Sequence, residues 1–236
     1  MSRPRRFTRA ARAGLLVLLG VTLAASALDV SAQQSNVAST LHNLSSSGPG
    51  EVRSVTETEI CKFCHIPHNA IERAPLWGHA LSNAVYATPK MRRNEGVQVP
   101  APQPDGSSRL CLSCHDGTVA LGDIGGQSRA ISMANTQRLR PGHTGYLGTD
   151  LSGSHPISFV VSDADHGGLD SDTDMGLKSL GAVGADGDVK LDRSGKMQCT
   201  TCHDPHSDRY YQKDRVPRFW VKPTVEEVCL TCHVLR

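Results

Sequence analysis

The sequence is poor in aromatic side chains, with two Trp, four Tyr and four Phe among 236 residues. So few large rings, alongside 22 glycines and 13 prolines, exclude the broad apolar core by which a chain of this length usually folds. Beyond the N-terminal region it has no uninterrupted apolar stretch of about 18 residues, the length that marks a membrane-spanning helix. A basic surplus is missing too. Residues 1–32 hold five of the 25 basic residues and one of the 23 acidic ones, so the remainder carries 20 against 22, a net charge of −2. A mildly acidic chain without a basic stripe is unsuited to nucleic acid.

Residues 1–32 read as a signal peptide. Arg3, Arg5, Arg6, Arg9 and Arg12 precede an apolar run from Ala13 to Leu28, and small residues at Ala25-Ser26-Ala27 and Val30-Ser31-Ala32 offer cleavage sites. Cleavage after Ala32 leaves an exported domain, 33–236, without a membrane span. A retained anchor is the alternative.

What the sequence does have is cysteine in one pattern. Its eight cysteines fall into Cys61-Lys62-Phe63-Cys64-His65, Cys111-Leu112-Ser113-Cys114-His115, Cys199-Thr200-Thr201-Cys202-His203 and Cys229-Leu230-Thr231-Cys232-His233. C-x-x-C-H is the attachment motif of c-type haem. Two thiols three positions apart lie on one face of a helical turn and add to the two vinyl groups of one porphyrin, while the next residue offers an imidazole to the iron. A disulfide framework suits an exported chain, but gives no reason for a histidine after every second cysteine. Zinc or thioredoxin-like chemistry does not demand four identical pentapeptides. The expectation is four covalently attached c-type haems with His65, His115, His203 and His233 as proximal ligands. Four large apolar macrocycles also answer the shortage of core: the expected fold is mainly irregular, with short helices and turns wrapped around four haems and little strand.

Seven histidines remain for the opposite faces of the irons: His42, His68, His79, His143, His155, His166 and His206. His68 and His206 share the form C-H-x-P-H, three residues past a proximal histidine. So short a tether cannot round its own porphyrin, so each points to a neighbouring haem. His155 stands before Pro156 and the apolar residues 157–161, which suggest a short strand. His42 and His79 compete for the last place, with Trp77 beside His79 expected to pack on a porphyrin. His143 and His166 sit in glycine-rich loops and are expected at the surface. Met91, Met133, Met175 and Met197 are rivals of another kind.

The motifs repeat. Cys61 to His68 and Cys199 to His206 both read C-x-x-C-H-x-P-H, and each is followed by C-L-x-C-H, so the chain reads as a duplicated two-haem unit, about 59–123 and 197–236. Prolines 89, 100, 102 and 104 exclude a continuous helix across residues 87–109. Residues 163–192 hold eight aspartates, but Asp170-x-Asp172-x-Asp174 lacks the glycine and final glutamate of an EF-hand loop in the right places, so they read as a solvated acidic loop.

Over nearly the whole of 33–236 the chain resembles the doubled C-x-x-C-H multihaem cytochromes c, and within them the tetrahaem cytochromes that assemble into extracellular filaments. The resemblance rests on HNLSSSGPG (42–50), EICKFCHIPHNA (59–70), PLWGH (75–79), CLSCHDGTVALGD (111–123), LSGSHPISF (151–159), CTTCHDPH (199–206) and CLTCH (229–233). It implies ligation of each iron by two histidines, with His42, His68, His155 and His206 as distal ligands. The expected function is electron transfer to redox partner proteins or extracellular acceptors, as a head-to-tail homopolymer at or outside the cell surface. The alternatives are a soluble periplasmic shuttle and a haem reductase. Enough histidines to close every iron argue against an enzyme. His42 lies in a Ser/Asn/Gly-rich arm, which either reaches a haem of the next subunit or folds back on its own chain.

Overall fold

Proline and glycine keep every regular element short. The structure, a computed structural model, describes residues 37–71, 75–92, 97–125, 129–162 and 175–235. Residues 1–32, expected to be a signal peptide, His166 and the first part of the acidic loop, 163–174, lie outside the described residues. Among the described residues the helices are α1 (Gly106–His115), α2 (Leu180–Gly184), α3 (Cys199–Cys202) and α4 (Val225–Cys232). Val37–Ser39 and Cys61–Phe63 form 3₁₀ turns.

The strands form three two-stranded antiparallel ribbons. β1 (Arg53–Ser54) pairs with β4 (Met133–Ala134), β2 (Lys90–Arg92) with β3 (Gln98–Pro100), and β5 (Met175–Leu177) with β6 (His233–Leu235). In the last ribbon Leu177 stands opposite His233, so the middle of the acidic segment is tied to the final motif. The proline-rich segment forms the β2–β3 hairpin and becomes helical only at Gly106. The strand expected after His155 does not form: Ser158 takes a left-handed φ of 63°, and only Val160 makes an isolated bridge, to Lys196.

The apolar core is divided. One cluster gathers Phe63, Ile66, Leu121, Ile124, Ile131, Met133 and Leu139, with Cys64 and Cys114 packed on it. A second holds Tyr86, Leu112 and Leu151, and a third Val189, Val221 and Val228, with Cys202 and Trp220 against it. Each is small, and the first and third pack directly on motif cysteines. Helix α4 starts from a local signal, Thr224-x-x-Glu227, in which the Thr224 hydroxyl accepts the Glu227 N–H at 3.2 Å. Glu226 and Glu227 in its first turn complement the helix dipole.

Candidate haem centres

Each motif occupies a helical turn. Cys61 and Cys64 sit on the 3₁₀ turn, Cys111 and Cys114 on the last turns of α1, and the other pairs on α3 and α4, so both thiols of a pair share one face. The backbone N–H groups of His65, His203 and His233 donate to the carbonyls of Cys61, Cys199 and Cys229, closing the turn just before the imidazole. None of the eight cysteines is in a disulfide. Burial pushes the Cys64 thiol up to about 11 and the Cys202 thiol up to about 12, and raises Cys114 as well. Sulfurs so buried suit thioethers, which carry no proton to lose.

The histidines meet in facing pairs. His206 stands opposite His65 with ring centroids 6.0 Å apart, His42 opposite His115 at 6.0 Å, and His155 opposite His233 at 6.3 Å. An imidazole nitrogen binds a transition metal at about 2.0–2.1 Å, so two rings on opposite sides of one metal have centroids about 6.3 Å apart once the ring radius is added. The three pairs therefore leave the spacing that one iron between them needs.

Their outer nitrogens are fixed in the matching sense. Nδ1 donates to the carbonyl of Pro75 from His65 (2.8 Å), of Gly145 from His115 (2.6 Å), of Arg218 from His203 (3.0 Å), of Pro205 from His42 (3.1 Å) and of Pro156 from His155 (2.8 Å). His206 Nδ1 lies 3.4 Å from Asp204 Oδ1. A carbonyl on Nδ1 sets the tautomer and leaves Nε2 for a metal. Burial pushes His42 down to about 4 and lowers His203 too, keeping both rings neutral. An apolar cleft lined by Leu112, Leu147, Leu151, His155 and Ile157 opens beside Cys199, a surface suited to a porphyrin face. The residues present fit covalently attached haem.

His79 has no nitrogen to offer. It is fully buried, with Nδ1 2.9 Å from the Ala80 carbonyl and Nε2 3.0 Å from that of Ala120. His42 does not reach outward: its ring stacks on Phe219 at 4.1 Å and faces His115 of its own chain. His143 hydrogen-bonds to the backbone of Arg140. Met91, Met133 and Met197 are buried. Among the described residues the exposed His68 has no hydrogen bond or ring contact, and no second imidazole faces His203.

The likeness between the two C-x-x-C-H-x-P-H segments reaches further than the motifs. His65 forms an isolated antiparallel bridge with Trp77, and His203 forms one with Trp220. In both copies Nδ1 donates to the carbonyl two residues before the tryptophan. The residue after the histidine donates its N–H to the residue before the tryptophan, Ile66 to Leu76 and Asp204 to Phe219. Leu76 and Phe219 both adopt a left-handed φ, 64° and 62°. Trp77 therefore packs edge-on to His65 at 6.2 Å, as Trp220 does to His203 at 5.0 Å, a pairing the sequence reading missed. The only hint is that the two tryptophans of the chain each follow a C-x-x-C-H-x-P-H motif.

Residues 193–234 match the family described as the doubled CXXCH motif. The match spans Cys199–His203, the Trp220 bridge, α4 and Cys229–His233. It marks a unit for covalent c-type haem and is consistent with a multihaem c-type cytochrome that transfers electrons. The doubled CXXCH unit thus has its two attachment turns joined by the tryptophan-bearing bridge. No curated protein matches the chain.

Proposed function

We propose that the chain is a tetrahaem electron carrier, exported after removal of residues 1–32, whose irons are each held between two histidines, and that it polymerises head to tail into an extracellular filament. When bound, c-type haem supplies a reversible one-electron couple. Four cysteine pairs attach it, His65, His115, His203 and His233 supply proximal imidazoles, and His206, His42 and His155 supply the distal imidazoles facing His65, His115 and His233. The observation that carries this reading is the recurrence of one facing separation, 6.0 to 6.3 Å, at three motifs. With no open position on the iron, substrate chemistry is not part of the proposal.

The polymer is supported by how the two repeats contact each other. Repeat two sends His206 to His65 of repeat one, while His42 of repeat one rests on Pro205 and Phe219 of repeat two. A two-fold relation would also put His155 on Pro67 and Leu76 and His68 on His203. Instead His155 bonds Pro156, and Pro67, His68 and Leu76 are exposed. The relation is heterologous, and a heterologous contact that does not close continues as a row. Continued once more, it sets His68 of the next copy opposite His203. The trans ligand is then His68 rather than His42.

Electron microscopy of the secreted wild type and the His68→Ala variant tests this. The reading expects filaments from the wild type, and from the variant four-haem monomers with one high-spin haem. A wild type that stays monomeric at high concentration with four low-spin haems would favour the soluble shuttle. A ferric spectrum with a high-spin fraction that binds cyanide in the assembled wild type would favour a reductase.

A further inference from the structure

Helices α1 and α3 carry the second and third motifs, one from each repeat, and their N-termini cap each other. Gln198, the N-cap of α3, is 1% exposed, and Ser108, in the first turn of α1, is 0% exposed. Gln198 Oε1 accepts the Ser108 hydroxyl at 2.6 Å and the Ser108 N–H at 3.3 Å. Ser108 Oγ in turn accepts the N–H of Cys199 at 2.9 Å. Each helix thus supplies the partner for an otherwise unsatisfied N–H of the other.

The rest of the cluster holds the amide in one orientation. Gln198 Nε2 donates to Asp105 Oδ1 and Asp192 Oδ2, both at 3.0 Å. Lys196 is ion-paired with Asp105, and the hydroxyls of Ser107 and Thr200 meet at 2.7 Å. Gly106 has a φ of 50°, and a Cβ there would lie 2.8 Å from Gln198 Nε2, so glycine lets the helix start against the amide. The consequence lies one turn on. Cys111 and Cys199, which belong to different haem sites, are close neighbours there.

We infer that Gln198 and Ser108 are positioning residues for electron transfer between the two halves of the chain: their reciprocal capping fixes the second haem site against the third. The inference rests on the four-haem reading. Two neighbouring cysteines on adjacent helices, each bonded to its own porphyrin, would bring two porphyrin edges near each other, so a shift of α1 against α3 would change that separation. A buried, fully paired polar network between helices is suited to holding such a register.

The test compares the full-length holoprotein, Gln198→Glu, Ser108→Ala and a double variant, Cys111→Ala with Cys114→Ala, that lacks the second haem. Haem number, ferric spin state and the two-signed Soret circular dichroism of coupled haems are measured for each. Gln198→Glu replaces a donor aimed at two carboxylates with a third carboxylate oxygen. It should keep four low-spin haems and lose the part of the Soret couplet that is also missing from the double variant. Should Gln198→Glu fail to mature, Ser108→Ala removes one link in each direction and should show a partial loss of the same component. A merely stabilising role would lower the melting temperature and leave the couplet intact, and an unchanged couplet in a four-haem variant overturns the inference. A wild type with fewer than four haems overturns the reading beneath it instead.

Discussion

His206 faces His65 across 6.0 Å with ring planes 17° apart, although the two residues belong to different repeats. On the proposed four-haem reading, the pairing lets one half of the chain complete an iron site of the other. Folding and haem loading would then be linked, because an iron held from both sides would fasten two segments that share little apolar core.

Removing His206 leaves the haem at Cys61, Cys64 and His65 without its distal ligand. His206→Ala should retain four covalent haems and gain a single high-spin component in the ferric spectrum. His42→Ala should do the same at His115. An entirely low-spin spectrum from either variant would remove that residue from the ligands.

His79 is expected to matter for stability alone. His79→Leu removes the buried imidazole that lies 2.9 and 3.0 Å from the Ala80 and Ala120 carbonyls and takes away the N–H that one of them accepts, a loss of about 1–3 kcal/mol. Thermal unfolding should shift downward with the haem spectrum unchanged. A new high-spin signal would instead place His79 on an iron.

The two left-handed residues separate strain from packing. Leu76 is 47% exposed at a φ of 64°, so Leu76→Gly should leave stability unchanged or raise it by up to about 1 kcal/mol. Phe219 has the same backbone geometry but is 8% exposed and stacked on His42. Phe219→Gly should cost about 3–5 kcal/mol. Similar unfolding temperatures for the two variants would contradict the assignment.

Acid should loosen the C-terminal unit through Asp186. Burial works against its charge, but Lys222 at 2.7 Å and the N–H groups of Val189 and Asp188 outweigh it and hold its carboxyl down to about 2. A carboxylate whose folded value lies below its unfolded one stabilises above the unfolded value, and that stability is lost as pH falls. The window runs from the ordinary 3.8 down to about 2. Asp186→Asn should flatten the fall in melting temperature across that range, and an equally steep fall in the variant would exclude Asp186 as its source.

Much of the site was legible because its signals are local. Four pentapeptides put each cysteine pair on one helical turn by spacing alone, and the short C-H-x-P-H tether is the local signal that sends His206 toward another motif, where it meets His65. The limits are equally physical. Choosing His42 over His79 depends on carbonyls at Ala80, Ala120 and Pro205 that only the folded backbone brings near. The cap between Gln198 and Ser108 joins residues from opposite halves, with no pattern in either segment to announce it. The strand anticipated after His155 was read from apolar residues, and the left-handed Ser158 interrupts it.

The most direct test of the central claim is the intact mass of the secreted protein after acid extraction of any loosely held haem. Four complete attachment motifs and no spare cysteine require the polypeptide mass plus four haem masses. A mass carrying fewer haems, or a colourless protein at the bare polypeptide mass, would contradict it.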